Sequence, residues 1–186
     1  METVTSVLIG IGLSAACGFR VFVPLLVMSV AAMSGHLTLA SNFQWIATYP
    51  ALIAFAVATG LEIGGYYIPW LDNLLDSISS PAAVVAGIIV TASVVTGTSP
   101  FLTWSLAIIA GGGAAGLIQG TTVLVRGASS VGTGGLGNPL LATIELGGAL
   151  LTSLLAVIAP LVGIILLAIL LTILSRKFMR RSAQRQ

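Results

Sequence analysis

Charge is almost absent from this chain until its end, and that scarcity limits what it can fold into. Between Glu2 and Ser175 the charged side chains are Arg20, Glu62, Asp72, Asp76, Arg126 and Glu145, whereas Arg176, Lys177, Arg180, Arg181 and Arg185 crowd the terminal segment. Charged residues are 6% of the 186 and hydrophobic ones 57%, against roughly 25% charged in a soluble domain. With a mean hydropathy of +1.12, the long apolar runs belong in a bilayer as helices, which pair their own backbone groups where water is absent. The expected fold is an all-α integral membrane protein of about six transmembrane helices.

Val4 to Met33 is a run of about thirty residues where roughly twenty would cross. Gly18, Arg20 and Pro24 interrupt it, so the first helix should be broken or strongly tilted. The polar segment Ser34 to Thr48 is the first loop, with a solvated His36, and Trp45 and Tyr49 take interfacial positions. Pro50 to Ile68 is the second span and carries Glu62. Pro69 to Asp76 reads as an amphipathic turn in the interface, with Asp72 and Asp76 one helical turn apart. Ser79, Ser80 and Pro81 then start a short third span ending about Thr96.

Gly97 to Pro100 turns the chain into a fourth span, to about Val125, in which Gly111 to Gly116 permit a close helix crossing or a local break. Arg126 closes that span at an interface. Asn138 to Ile158 is the fifth span, and Pro160 to about Leu174 the sixth. Cys17 has no disulfide partner and reads as a small buried residue. An even number of spans puts both termini on one side, and the basic tail, 176–186, makes that side cytoplasmic. Such a cluster addresses anionic lipid; it is a poor nucleic-acid signal.

The most unusual stretch is Gly132 to Glu145, a glycine-rich loop (Gly132, Gly134, Gly135, Gly137) running into an apolar helix that carries an acid. Asn138 and Pro139 read as the N-cap and first position of that helix. Amides exposed there could cradle an anion or lipid phosphate, or the loop could be a tight turn with no ligand. No Gly-Lys-Ser/Thr follows, which argues against a nucleotide.

The chain also hints at an internal repeat. Gly12 to Arg20 aligns with Gly111 to Gln119, bringing Ala15 and Ala16 over Ala114 and Ala115 and Arg20 over Gln119. Glu62 and Glu145 are both followed by an apolar residue and two glycines. Two three-helix repeats, about 4–96 and 101–174 within one transmembrane unit 1–175, would insert with opposite orientation, the inverted plan of many secondary transporters. Glu62 and Glu145 would then face each other at mid-membrane.

An unpaired carboxylate in hydrocarbon costs about 3 kcal/mol, so each acid should be protonated, paired or bound to a cation. Arg20 is the expected partner of one, leaving the other to titrate or to hold an ion. The competing reading is an ion-pair network that only holds helices together. Asp72 and Asp76 are candidates for an inner-mouth cation site, against a solvated face near a helix start. Enzyme signatures are missing: no His-Glu-x-x-His, no zinc-type cysteine pair, no Gly-x-Ser-x-Gly. No cofactor is implied.

Several of these pieces match a known pattern: Gly12 to Arg20 with Pro24, Glu62 with Ile68 and Pro69, Asp72 to Asp76, and Thr133 to Pro139 with Glu145. Through them nearly the whole chain resembles a family of small bacterial multi-span membrane proteins, domain-of-unknown-function family 4126. Two places depart from the pattern. Gly64, Gly65 and Tyr66 stand where a charged residue commonly follows the first Glu, and Ser80, Pro81 and Ala82 where Arg-Pro often follows the Asp pair. The resemblance implies a bacterial cytoplasmic (inner) membrane location and supplies no substrate.

The expected function is passage or exchange of a small ion or solute, a cation or proton in the first instance. Glu62 and Glu145 would coordinate or titrate, Arg20 would balance them, and Asn138, Gln119 and the loop glycines would shape the site. The alternative is a non-transporting scaffold, or a lipid-binding or lipid-moving protein, using the small-residue faces around Gly111 to Gly116. Such faces also allow a homo-oligomer.

Overall fold

The computed structural model describes residues 2–166, 168, 169 and 172. The end of the expected sixth span and the basic tail lie outside the described residues. The described chain is helical, with no strand. Its helices are α1 (Glu2–Cys17), α2 (Phe22–Met33), α3 (Tyr49–Gly65), α4 (Pro69–Val94), α5 (Pro100–Leu106), α6 (Gly113–Thr133) and α7 (Asn138–Ile158), with a 3-10 segment at Ser41–Ala47 and a π-helical one at Ala107–Gly112. Among the described residues three helices are long and apolar enough to cross a membrane: Leu74–Val94, Pro100–Thr133 and Asn138–Ile158. Ser41–Ala47 and Tyr49–Gly65, bent by 63°, would make a fourth. About six spans were expected. The difference lies in the first apolar run, which is two short helices, and in the last, of which 160–166, 168, 169 and 172 are described, all helical.

The first run breaks at Gly18–Val21, where interruptions were expected, but it does not then continue across. Gly10 on α1 lies against Thr91 and Val94 of α4, and Met28 on α2 accepts a hydrogen bond at its sulfur from Ser93 Oγ, 3.3 Å away. Thr5, Ser6 and Ile9 share one cleft with His36, Leu37 and Thr38. So α2 returns to the end from which α1 started, and the pair is a helical hairpin. A single crossing fails because Arg20 at the break is held deep in the bundle by groups on other helices. The expectation that both termini share one side rested on that single crossing and does not follow from this fold.

Small residues let α1, α4 and the π segment approach closely, the usual means of packing helices in lipid. Ser14 Oγ donates to Gly87 O at 2.7 Å and shares a hydrogen bond with Thr91 Oγ1 at 2.7 Å. Gly111 sits on Thr91 and Gly87, and Gly87 in turn meets Ala115. The expected local break near Gly111 is thus a π-helical turn within one rod, Pro100–Thr133. These contacts also give direction. Going down α4 from Thr91 to Gly87, the neighbours run from Gly10 to Ser14 on α1 and from Gly111 to Ala115 on the rod. Both therefore run antiparallel to α4 and parallel to each other, so the stretches aligned as a repeat are not related by inversion.

Two further boundaries differ from expectation. Pro81 does not start a helix: α4 runs unbroken from Pro69 to Val94 with Pro81 inside. Proline there removes one N–H and crowds the carbonyl four residues back, yet the helix carries through, with Ser80 Oγ donating to the neighbouring Asp76 O at 3.0 Å. The rod continues past Arg126 to Thr133, since Gly127 to Thr133 include nothing that stops a helix before Gly134, whose φ of +62° ends it. Thr48 and Ser99 cap α3 and α5, accepting from Ala51 N and Leu102 N just ahead of Pro50 and Pro100.

Candidate functional site

The break between α1 and α2 brings Arg20 among groups from α3, α4, α6 and α7. Gly18 makes this depth feasible: a Cβ there would fall 2.5 Å from Ala115 O and 2.6 Å from Ile118 Cβ, so only glycine lets the tip press against α6. Arg20 is 2% exposed. Its Nη2 donates to Ala142 O at 2.9 Å and lies 3.5 Å from Glu145 Oε2. The guanidinium stacks over Tyr66, 3.6 Å from the ring centroid. Its Nε and Nη1 have no hydrogen-bond partner.

Glu145 is shared. Arg126 grips it in a two-pronged pair, Nε to Oε1 at 2.9 Å and Nη2 to Oε2, the fork geometry that suits guanidinium and carboxylate. Arg126 also lies over Tyr66, 4.4 Å from its centroid, and its Nη1 is 3.7 Å from Asp76 Oδ1. The order Arg20, Glu145, Arg126, Asp76 therefore alternates in sign. Tyr66 OH shares a hydrogen bond with Ser79 Oγ at 2.9 Å, and Gln119 Nε2 donates to Ser80 Oγ at 3.4 Å.

Glu62 does something else. Its Oε1 and Oε2 accept from the backbone N–H groups of Val21 (2.8 Å) and Phe22 (3.1 Å). Helix α2 has no capping side chain of its own, so an acid from α3 satisfies its first amides, where negative charge is also favoured. The expectation that Arg20 pairs with either acid resolves toward Glu145; Glu62 is fixed on a helix terminus. Both acids hold the same tip, Glu62 through the Val21 and Phe22 amides and Glu145 through Arg20.

The glycine-rich turn lies elsewhere. From Gln119, beside Gly18, α6 runs fourteen more residues to Thr133, about 21 Å at 1.5 Å per residue. Gly134 and Gly135 have φ of +62° and +87°, which supply the reversal, and Leu136 between the helices is 87% exposed. A Cβ at Gly132, Gly134 or Gly135 would meet nothing, while Gly137 rests on Ser129 and donates its N–H to Thr133 Oγ1. Asn138 is not the N-cap: that position is Gly137, α7 begins at Asn138, and the Asn138 amide donates to Ser130 Oγ at 3.2 Å. The turn is a helix reversal and does not converge on the charged cluster. Asp76 belongs to the cluster; the Asp72 side chain lies outside what is described.

Arg126 and Tyr66 are the members that sequence reasoning missed. Arg126 was read as an interfacial end-marker, yet it is 3% exposed. A signal was available: Arg126 and Glu145 are equidistant from the midpoint between Gly135 and Leu136, so an antiparallel hairpin about that turn sets them side by side. For Tyr66 no such signal exists. Among the described residues no group of three or more His, Cys, Asp or Glu side chains gathers to hold a metal. Two surface clefts, of about 440 and 390 Å³, lie at the opposite end around Thr96 and are lined by neither arginine.

A helical protein with at least three membrane-length apolar helices and an arginine–carboxylate cluster buried among them is the class that fold and site define. The family model described as Domain of unknown function (DUF4126) matches residues 7–180, and the chain belongs to that family. No curated protein and no solved structure matches it.

Proposed function

We propose that the protein binds a small ion or solute within the membrane and passes it across, with the cluster at the α1–α2 tip as the site. The observation that carries this is Arg20, a buried guanidinium with two donor nitrogens unmet. Leaving such groups unpaired costs several kcal/mol, and apolar residues would serve better if the cluster only joined helices. Interrupted helices that end on a buried charge are also the usual construction of transporter sites. The cytoplasmic membrane of a bacterium is the assumed location, with the Arg126 end facing inward. No enzymatic role and no cofactor is part of the proposal.

One observation favours the alternative, a packing or assembly role. The outer face of α3 exposes Gly60 and Gly64, one helical turn apart, with open space where a Cβ would sit, a face that lets another helix approach closely. Thermal unfolding of the purified protein in detergent, across pH and a panel of inorganic salts, separates the two for wild type and for Glu62→Gln with Glu145→Gln. A binding site predicts a saturable rise in the wild-type midpoint that the double variant alters. If no salt shifts either form and the double variant is merely less stable, the cluster is structural.

A further inference from the structure

We infer that the ligand of this cluster is a small monovalent anion, held by the open donors of Arg20. This rests on the binding role proposed above and names its chemistry. Each acid in the cluster is already matched. Glu62 takes two backbone N–H groups, Glu145 takes Arg126 in two prongs and Arg20 in a third contact, and Asp76 faces Arg126. The surplus runs the other way: Arg20 Nε and both hydrogens of Nη1 point at no acceptor. A cation arriving here would have to displace an arginine from its carboxylate. An anion breaks none of these ion pairs, and it supplies the acceptor that the guanidinium lacks.

The ligand must be small. Arg20 is almost wholly buried, one guanidinium face is against Tyr66, and Gly18 holds the tip hard on Ala115 and Ile118. Nε and Nη1 also diverge around the guanidinium carbon, so neither can share with the other the two-pronged grip that Nη2 would complete; Nη2 is already committed to Ala142 O and Glu145. Single-point acceptors such as halides, or compact ions such as nitrate and formate, fit those donors.

The test uses the full chain purified in detergent. Thermal midpoints are measured in sodium fluoride, chloride, nitrate and formate against sodium gluconate at equal ionic strength, and then in lithium, potassium and magnesium gluconate. Wild type and Arg20→Lys are compared, since lysine keeps the positive charge and a donor for Ala142 O while losing Nε and Nη1. At a hundredfold excess over the dissociation constant, the wild-type midpoint should rise by about 5 °C or more for at least one small anion, and Arg20→Lys should need at least tenfold more of it. If Arg20→Lys does not fold, a saturable rise in the wild type with a small anion and none with gluconate salts still supports the site. An equal response in wild type and Arg20→Lys overturns the assignment to Arg20. A rise with a cation alone overturns the anion class and leaves the binding role standing. No rise with any salt overturns both.

Discussion

Two four-residue reversals shape this molecule, and they have opposite characters. Gly134 to Gly137 joins α6 to α7, carries three glycines and is exposed at Gly134 and Leu136 and half-buried at Gly135 and Gly137. Gly18 to Val21 joins α1 to α2, carries one glycine and is buried apart from Phe19. In the first, glycine supplies positive φ. In the second it supplies clearance, because the tip must touch Ala115 and Ile118. The difference teaches that glycine content marks where a chain can turn, whereas chemistry gathers where a turn drags charge into the interior. The second reversal owes its place to Glu62, Ala142 O and Glu145 gripping it from α3 and α7.

Substitutions at the two reversals should therefore differ in kind. Arg20→Ala should have the largest effect, about 3–5 kcal/mol, because it removes one partner of a buried charge network and leaves Glu145 with Arg126 alone; denaturant or thermal unfolding in detergent reads it. Gly18→Ala should cost about 1–3 kcal/mol by overpacking against α6 backbone, measured the same way. At the other turn, Gly135→Ala should cost only about 1 kcal/mol, from placing a side chain at φ of +87°. Gly132→Ala should be smallest and of opposite sign, stabilising by about 0.5–1 kcal/mol, since the position is helical and its Cβ would meet open space. If Gly135→Ala proved as damaging as Gly18→Ala, the contrast between the reversals would collapse.

Much of the helical layout was readable from residue order. The helix starts near Pro50 and Pro100 and the Asn138 to Ile158 span announced themselves through prolines and apolar length, all local effects. That Arg20, Glu62 and Glu145 are buried in one place was also readable, because charge in an apolar run has to find company. How they pair was not. Glu62 goes to the amides of Val21 and Phe22, a partnership across forty residues that no spacing encodes. The doubling back of the first run was equally hidden, since its thirty residues suit a tilted span as well as a hairpin. Pro81 misled because proline more often begins a helix than sits inside one.

That hairpin carries the whole account, for only by returning does the first run bring Arg20 to Glu145 while His36 comes back beside Ser6. Spin labels on cysteines placed at Ser6 and His36, in a Cys17→Ala background, would measure it by dipolar spectroscopy. The hairpin predicts a separation below about 20 Å, whereas thirty residues of continuous helix would hold the same pair about 45 Å apart. A dominant distance near the longer value would contradict the fold of the first run and, with it, the site built on its tip.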